Sequence, residues 1–116
     1  MAIPVRAVGS ILVFELAPIL TYLAGQELLS RVKDGGLTHR HYLLEMSNVK
    51  YIDSAGVGAL LELYREVQVR GGSVKLVRSP ERARRLLELT GLSAIFENFD
   101  SESDAIASIE GAAAAC

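Results

Sequence analysis

The residues best suited to chemistry are an acidic side chain and a hydroxyl group side by side, Asp53 and Ser54, followed by Gly56 and Gly58. A short extended segment precedes this pair and a long amphipathic helical pattern follows it. The hydroxyl is therefore expected at a helix N-terminus, where unpaired N–H groups and the helix dipole stabilise an anion by about 0.3–1 kcal/mol. A phosphoryl group on Ser54 suits that position and would add roughly −1.5 to −2 charges to the surface.

The same residues also have a purely structural interpretation, which the sequence leaves open. Asp53 or Ser54 then caps the helix, and the glycines permit a tight turn from strand to helix. Neither the phosphate-binding pattern GxxxxGK(S/T) nor the nucleophile pattern GxSxG occurs in the sequence.

Three other side chains could bind a metal or react as nucleophiles, namely His39, His41 and Cys116. The histidines do not form an HExxH pattern, and we expect them to be solvated surface residues. The single cysteine is the last residue, so it excludes an intramolecular disulfide and indicates a reducing compartment. We expect no metal and no cofactor.

The overall charge argues against nucleic acid as a direct partner. The 116 residues include 12 basic and 14 acidic side chains, so the formal net charge is −2. Domains that neutralise phosphates are usually strongly basic. Three arginines that could attract a nucleotide or an acidic partner, Arg82, Arg84 and Arg85, are balanced by Glu81 and Glu88, which indicates a solvated helix face.

The most apolar stretch, Ile11 to Gly25, is shorter than the roughly 20 apolar residues that cross a bilayer, and it contains Glu15 and Pro18. The first ten residues lack the apolar region of a secretory signal. We therefore predict no membrane insertion and a cytoplasmic location.

Hydrophobic periodicity and turn residues predict the elements that position Ser54. A hairpin with its turn at Gly9-Ser10 opens the chain, and Pro18 ends its second strand. Seven elements follow. The first four are a helix over 23–33 that Gly35-Gly36 stops, a strand over 41–46, an extended piece over 49–52, and a helix from Ser54 to the Gly71-Gly72 stop. The last three are a strand over 73–77, a helix capped by Ser79 and ending at Thr90-Gly91-Leu92, and an edge strand over 94–99. A final helix, capped by Ser101, runs through Ile109.

Apolar residues mark the buried faces of two helices. They are Leu23, Leu28, Leu29 and Val32 in the first helix, and Val57, Leu60, Leu61, Tyr64 and Val67 in the second. The alternation of elements predicts one α/β domain over 1–110, with a mixed, mostly parallel sheet of four to five strands and about four helices largely on one face. The alanine-rich tail, 111–116, is expected to be frayed or a weak helical extension.

The segment Asn48 to Val77 resembles the STAS domain of bacterial anti-sigma factor antagonists. It is similar to that family's central strand, its D-S-x-G-L/V-G loop, its second helix, its Gly-Gly stop and its next strand. The resemblance continues through Ser79-Pro80 and Thr90-Gly91-Leu92, and it extends from about Ile11 to Glu110.

The resemblance implies a non-enzymatic switch. The unphosphorylated protein would bind an anti-sigma factor that is also a serine kinase; phosphorylation of Ser54 would end the binding, and a phosphatase would restore it. Asp53 would orient the hydroxyl or the incoming phosphate. The implied partner surface consists of Thr21, Asp53, Ser54, Ala55, Gly56, Val57 and Gly58.

One loop departs from the family. Where relatives carry G-E-I/L-D, this chain has Pro18-Ile19-Leu20-Thr21, which contains neither a carboxylate nor a glycine. Thr21 offers a hydroxyl without the charge, and Ile19 with Leu20 is expected to form an apolar contact surface. This departure favours an alternative, a STAS adaptor or scaffold subunit of a transporter or sensor complex without a kinase cycle. A receiver domain or small enzyme is disfavoured because the acidic set of a receiver is missing.

Overall fold

The computed structural model describes residues 3–34 and 39–114, and it opens with the predicted hairpin. β1 (Val5–Val8) pairs antiparallel with β2 (Ile11–Glu15). Gly9 lies in the turn with φ 60°, a conformation that glycine adopts without steric cost.

The remaining strands and helices follow the predicted order, with one addition. Their bounds are β3 (Ile19–Leu20), α1 (Tyr22–Asp34), β4 (His41–Glu45), β5 (Tyr51–Ile52), α2 (Ser54–Val69), β6 (Ser73–Val77), α3 (Glu81–Leu89), β7 (Asn98–Phe99) and α4 (Glu102–Ala114). The addition is β3, which the sequence analysis missed because Pro18 was interpreted only as the end of the preceding strand. The predicted stop at Gly35-Gly36 lies outside the described residues.

The main sheet has five strands in the order β1-β2-β4-β6-β7, and every pairing after the hairpin is parallel. β3 and β5 form a separate parallel pair. The predicted mixed, mostly parallel sheet is therefore confirmed.

Helices cover both faces of this sheet. Residues of α1, α2 and α3 share one apolar cluster with Phe14, Tyr42 and Leu76. α4 packs against a second cluster that contains Val13 and Leu43, since successive strand residues point to opposite faces. Of the four α-helices in the described residues, three thus lie on one face of the sheet, as predicted. No helix in the described residues is both long enough and apolar enough to cross a membrane.

The predicted edge strand over 94–99 is wrong for most of its length. A 3-10 turn occupies Leu92–Ala94, and only β7 pairs with the sheet. Ile95 and Phe96 both pack on the cluster beneath α1 to α3, whereas consecutive strand residues would face opposite sides. The Phe96 ring meets Tyr64 edge-on at 5.5 Å between centroids.

The predicted cap of α3 is also wrong, while that of α4 is correct. The residue at the N-cap of α3 is Pro80, which makes no side-chain cap bond. Ser79 is buried, its N–H donates to Asn98 Oδ1 at 3.0 Å, and its Oγ has no hydrogen-bond partner in the described structure. At α4, the Asp104 N–H donates to Ser101 Oγ at 3.1 Å.

The end of α4 and the buried face of α2 differ in part from the predictions. α4 continues past Ile109 to Ala114, and Cys116 lies outside the described residues. On α2, Val57, Leu60 and Val67 are buried as predicted. Leu63, which the prediction omitted, is buried, whereas the predicted Leu61 and Tyr64 are only half-buried.

Candidate functional site

Asp53 links β5 to α2 and caps the helix. Its backbone is extended, with φ −119° and ψ −176°, and its Oδ1 accepts a hydrogen bond from the Gly56 N–H at 2.9 Å. Its carbonyl oxygen accepts from the Val57 N–H at 3.0 Å. Of the two capping residues that the sequence left open, the structure therefore selects Asp53.

Ser54 is the first residue of α2 and is exposed. No hydrogen bond engages its hydroxyl within the described part of the chain. Because Asp53 already satisfies the Gly56 N–H, the amides of Ser54 and Ala55 are the donors left over at this helix end. The hydroxyl thus combines accessibility with a positive local dipole.

Gly56 permits a close approach between two parts of the chain. A Cβ at this position would overlap the carbonyl oxygen of Leu20, at the end of β3. Leu20 is the register partner of Ile52, so Thr21 and Asp53 each follow one strand of the same parallel pair. The half-buried Thr21 begins the approach to α1, and its carbonyl accepts from the Gly25 N–H at 2.9 Å.

The predicted partner residues differ in accessibility. Ser54, Ala55 and Gly58 are exposed, and Asp53 and Thr21 are half-buried. The remaining two, Gly56 and Val57, are buried, so they support the loop from below rather than offer side chains to a partner.

Four large apolar side chains on β3, β5 and the start of α1 are exposed and form what we call the apolar patch: Ile19, Tyr22, Leu23 and Tyr51, with exposed fractions of 59%, 61%, 79% and 48%. Ile19 and Tyr51 are register partners across the β3–β5 pair. The predicted apolar contact is thus present at Ile19 but not at Leu20, which is buried.

Leu23 was predicted on the buried face of the first helix, and this is wrong. The buried residues of α1 are Gly25, Leu28, Leu29 and Val32. At about 100° per residue, position 23 lies on the opposite side of the helix from them. The sequence signal for most of the patch is the stretch Ile19 to Leu23, in which Thr21 is the only residue that is not apolar.

An ion pair joins the buried Glu45 to the exposed Arg78 near the turn that leads to β5. The Glu45 carboxylate, at the end of β4, accepts from Arg78 Nη2 at 2.8 Å and Nε at 3.2 Å, and from the Ser47 N–H at 3.2 Å. Burial would raise the pKa of Glu45, yet the hydrogen bonds from Arg78 and Ser47 hold that pKa below its ordinary value. Arg78 adopts a positive φ of 50°. Glu45 and Arg78 are 33 residues apart, and no motif in the sequence connects them.

His41 lies near the other end of α2 and takes no part in the loop. The prediction of a solvated histidine is wrong for His41, which is half-buried with Nδ1 2.8 Å from Ser73 Oγ. Burial lowers its pKa, and the positive charges of Arg40 and Lys75 lower it further. His39 is also half-buried, and its carbonyl oxygen accepts from the Tyr42 hydroxyl at 2.9 Å.

Comparison with known proteins relates this geometry to one family. The model of the STAS domain family matches residues 2–105. An anti-sigma F factor antagonist of Paenibacillus polymyxa is 30% identical over 70 residues, and the matched region covers 60% of this chain and 60% of that protein. The chain therefore spans less than two thirds of the length of that relative.

Solved structures share the fold at lower identity. SpoIIAA, an anti-sigma factor antagonist, superposes in its unphosphorylated form with a TM-score of 0.83 at 20% identity over 95% of this chain and 97% of its own. Its phosphorylated Bacillus form gives a TM-score of 0.75 at 20% identity over 93% and 99%. The murine anion transporter Slc26a9 gives 0.77 at 19% identity, with 91% of this chain and 18% of the transporter covered.

Proposed function

This chain belongs to the STAS domain family, and from that membership we propose that it is an anti-sigma factor antagonist. It binds an anti-sigma factor while Ser54 is unphosphorylated and releases that partner when Ser54 is phosphorylated. The observation that carries the proposal is the exposed Ser54 hydroxyl on the first residue of α2, directly after the Asp53 cap. The relative from Paenibacillus polymyxa, itself an anti-sigma F factor antagonist, supports the choice of partner.

The switch depends on one phosphoryl transfer that the partner catalyses, with no catalytic residue from this chain. The Ser54 oxygen attacks the γ-phosphorus of ATP on an anti-sigma factor with serine kinase activity. The new O–P bond replaces the bond to the β–γ bridging oxygen, ADP leaves, and the hydroxyl proton passes to a base on the kinase. A phosphatase hydrolyses the ester with water and restores the serine. We place this exchange in the cytoplasm, where ATP is available.

The phosphoserine would act on the partner through charge. It adds roughly −1.5 to −2 charges beside the Asp53 carboxylate, in a protein whose formal net charge is −2. Ile19 and Tyr51 of the apolar patch lie on the strand pair that leads to this loop, so the proposed contact would bury apolar surface near the modified residue. A doubly charged group inside such a contact must lose its hydration, which weakens the complex.

Two measurements test the proposal. Incubation with ATP and a cognate serine kinase should add one phosphoryl group at Ser54, detected by mass spectrometry, and Ser54→Ala should abolish it. Modification at another residue, or none with any kinase encoded nearby in the genome, would contradict the kinase cycle.

Binding to the anti-sigma factor should respond to charge at Ser54. We expect Ser54→Asp to weaken binding by about tenfold or more, and by more than Ser54→Ala, as calorimetry can measure. Ser103→Asp is a matched control, because Ser103 is exposed in the first turn of α4 on the opposite face of the sheet. Equal affinities of Ser54→Asp and Ser54→Ala would remove the electrostatic switch.

The apolar patch supports a second candidate, an adaptor subunit of a transporter or sensor complex without a kinase cycle. Ile19 of the patch lies in the segment 18–21, which lacks the carboxylates of the family loop, and a STAS-like fold matches 18% of the Slc26a9 transporter chain. An adaptor would bind its partner equally well with Ser54→Asp and Ser54→Ala, and it would lose affinity with Leu23→Ser. A transporter or sensor operon around the gene would favour this candidate.

A further inference from the structure

A cavity of about 450 Å³ opens between the N-terminal segment and α1, beside β3. Its volume is within the range of about 300–1,000 Å³ that is usual for small-molecule sites. The lining is mostly apolar and includes Ile3, Leu16, Pro18, Leu20, Ala24 and Leu28. Such a cavity suits the hydrocarbon part of a ligand.

The polar groups at the cavity indicate the charge of the ligand. Glu27 and Asn48 line it, and Glu27 follows Leu23 by one turn of α1. No hydrogen bond or ion pair engages the Glu27 carboxylate in the described residues. Glu15 also contributes to the lining, but strand alternation directs its side chain, with Ile11 and Val13, toward α4. The accessible charge is therefore the single negative charge of Glu27.

We propose that this cavity binds a small amphiphile with an apolar chain and a positively charged head group. The chain packs against Leu16, Leu20 and Leu28, and the head group pairs with Glu27, with Asn48 as a second hydrogen-bonding group. An apolar environment and an unpaired carboxylate at its margin favour this combination over a neutral or anionic ligand. The inference does not rest on the proposed function: Ser54 is not among the lining residues, although Leu23 of the apolar patch also lines the cavity.

Three probes with the same chain and different head groups test the proposal: octylammonium, octanol and octanoate. Each is titrated into the full chain at constant ionic strength while backbone amide NMR shifts are followed. We expect the shifts to centre on the cavity, and octylammonium to bind about two- to fivefold more tightly than octanol, with octanoate weakest. Equal affinity of the three probes, or shifts spread over α4, would overturn the proposal.

Two variants separate the cavity from the charge. Ala24→Leu fills the cavity and should weaken all three probes, whereas Glu27→Gln keeps the shape and should remove the preference for octylammonium over octanol. Glu110→Gln, an exposed carboxylate of α4 on the opposite face, is the matched control and should change nothing. If Ala24→Leu fails to fold, Glu27→Gln alone decides. A preference for octylammonium that survives Glu27→Gln would refute the charge assignment. If Ser54→Asp loses anti-sigma factor binding while its affinity for octylammonium is unchanged, the two sites are independent.

Discussion

At the scale of single residues, the two glycines of the Ser54 loop perform different tasks. Gly56 is buried, and a side chain there would collide with the Leu20 carbonyl oxygen. Gly58 is exposed, and a Cβ there would meet no atom within 4 Å. Only the first glycine is therefore needed for the fold, and the second is free to serve a partner.

The two alanine substitutions should consequently have opposite effects on stability. We expect Gly56→Ala to lower the free energy of unfolding by about 1–3 kcal/mol, because β3 or α2 must shift to make room. We expect Gly58→Ala to raise it by about 0.5–1 kcal/mol, because alanine is the better helix former. Urea denaturation measures both values, and a stabilised Gly56→Ala variant would show that the close approach is unimportant.

At the scale of elements, hydrogen bonds at the end of β4 hold the turn that leads to β5 and then to α2. Glu45 ends β4 within the sheet, and its carboxylate holds both the Ser47 N–H and the Arg78 guanidinium that follows β6. The Met46 N–H also donates to the Val77 carbonyl at 2.9 Å. The position of the Ser54 loop is thus connected to the neighbouring strand through one ion pair and one backbone bond.

Two substitutions of Arg78 distinguish its charge from its backbone. Arg78→Ala and Arg78→Gly both leave the buried Glu45 carboxylate with the Ser47 N–H as its remaining hydrogen-bond donor, so both should lower the free energy of unfolding. Only glycine relieves the positive φ of 50°, so Arg78→Gly should be the more stable of the two by about 1 kcal/mol.

The matched control for Arg78 is Arg82→Ala, an exposed arginine of α3, which should change stability by less than about 0.5 kcal/mol. Chemical denaturation of the three variants gives the comparison. Equal stabilities of Arg78→Ala and Arg78→Gly would contradict the contribution of backbone strain.

At the scale of the whole molecule, both faces of the sheet are covered, and titratable groups at the two ends of its strands are partly withdrawn from water. His41 begins β4 and Glu45 ends it. The pKa of each is below its ordinary value, the first through burial and the second through hydrogen bonds that outweigh burial. Because the unfolded chain binds these protons more readily, both groups lower the free energy of unfolding as the pH falls.

For His41, the lowered pKa means that the unfolded chain binds the proton more readily than the folded one. Stability is complete above the unfolded pKa of about 6.5 and falls as the pH decreases below it, until the folded pKa is passed. We expect His41→Gln to flatten the dependence of unfolding free energy on pH between about 7 and 5, while His39→Gln retains it. Glu45 should act lower, with its stabilisation lost only as the pH falls below about 4.5. An unchanged slope in His41→Gln would contradict this assignment.

The sequence by itself determined the features that depend on neighbours along the chain. The order of all elements but β3, the Ser101 cap, the restriction of the α2 cap to Asp53 or Ser54 and the end of α2 before Gly71, with φ 75°, follow from hydrogen bonds and steric limits within a few residues. The alternation of strands β2, β4 and β6 with helices along the chain likewise predicted a sheet with helices on its faces. The Ser54 loop was identifiable for the same reason.

Only the tertiary structure decided which distant segments meet. Thr21 and Asp53 each follow one strand of the β3–β5 pair, and Glu45 pairs with Arg78. Leu23 is exposed, whereas Phe96 is buried in the core. None of these arrangements is local, because each depends on how segments that are far apart along the chain pack in space. They arise when the apolar faces pack together, and this is why the exposure of Leu23, the cavity at Glu27 and the need for Gly56 emerge only in the folded molecule.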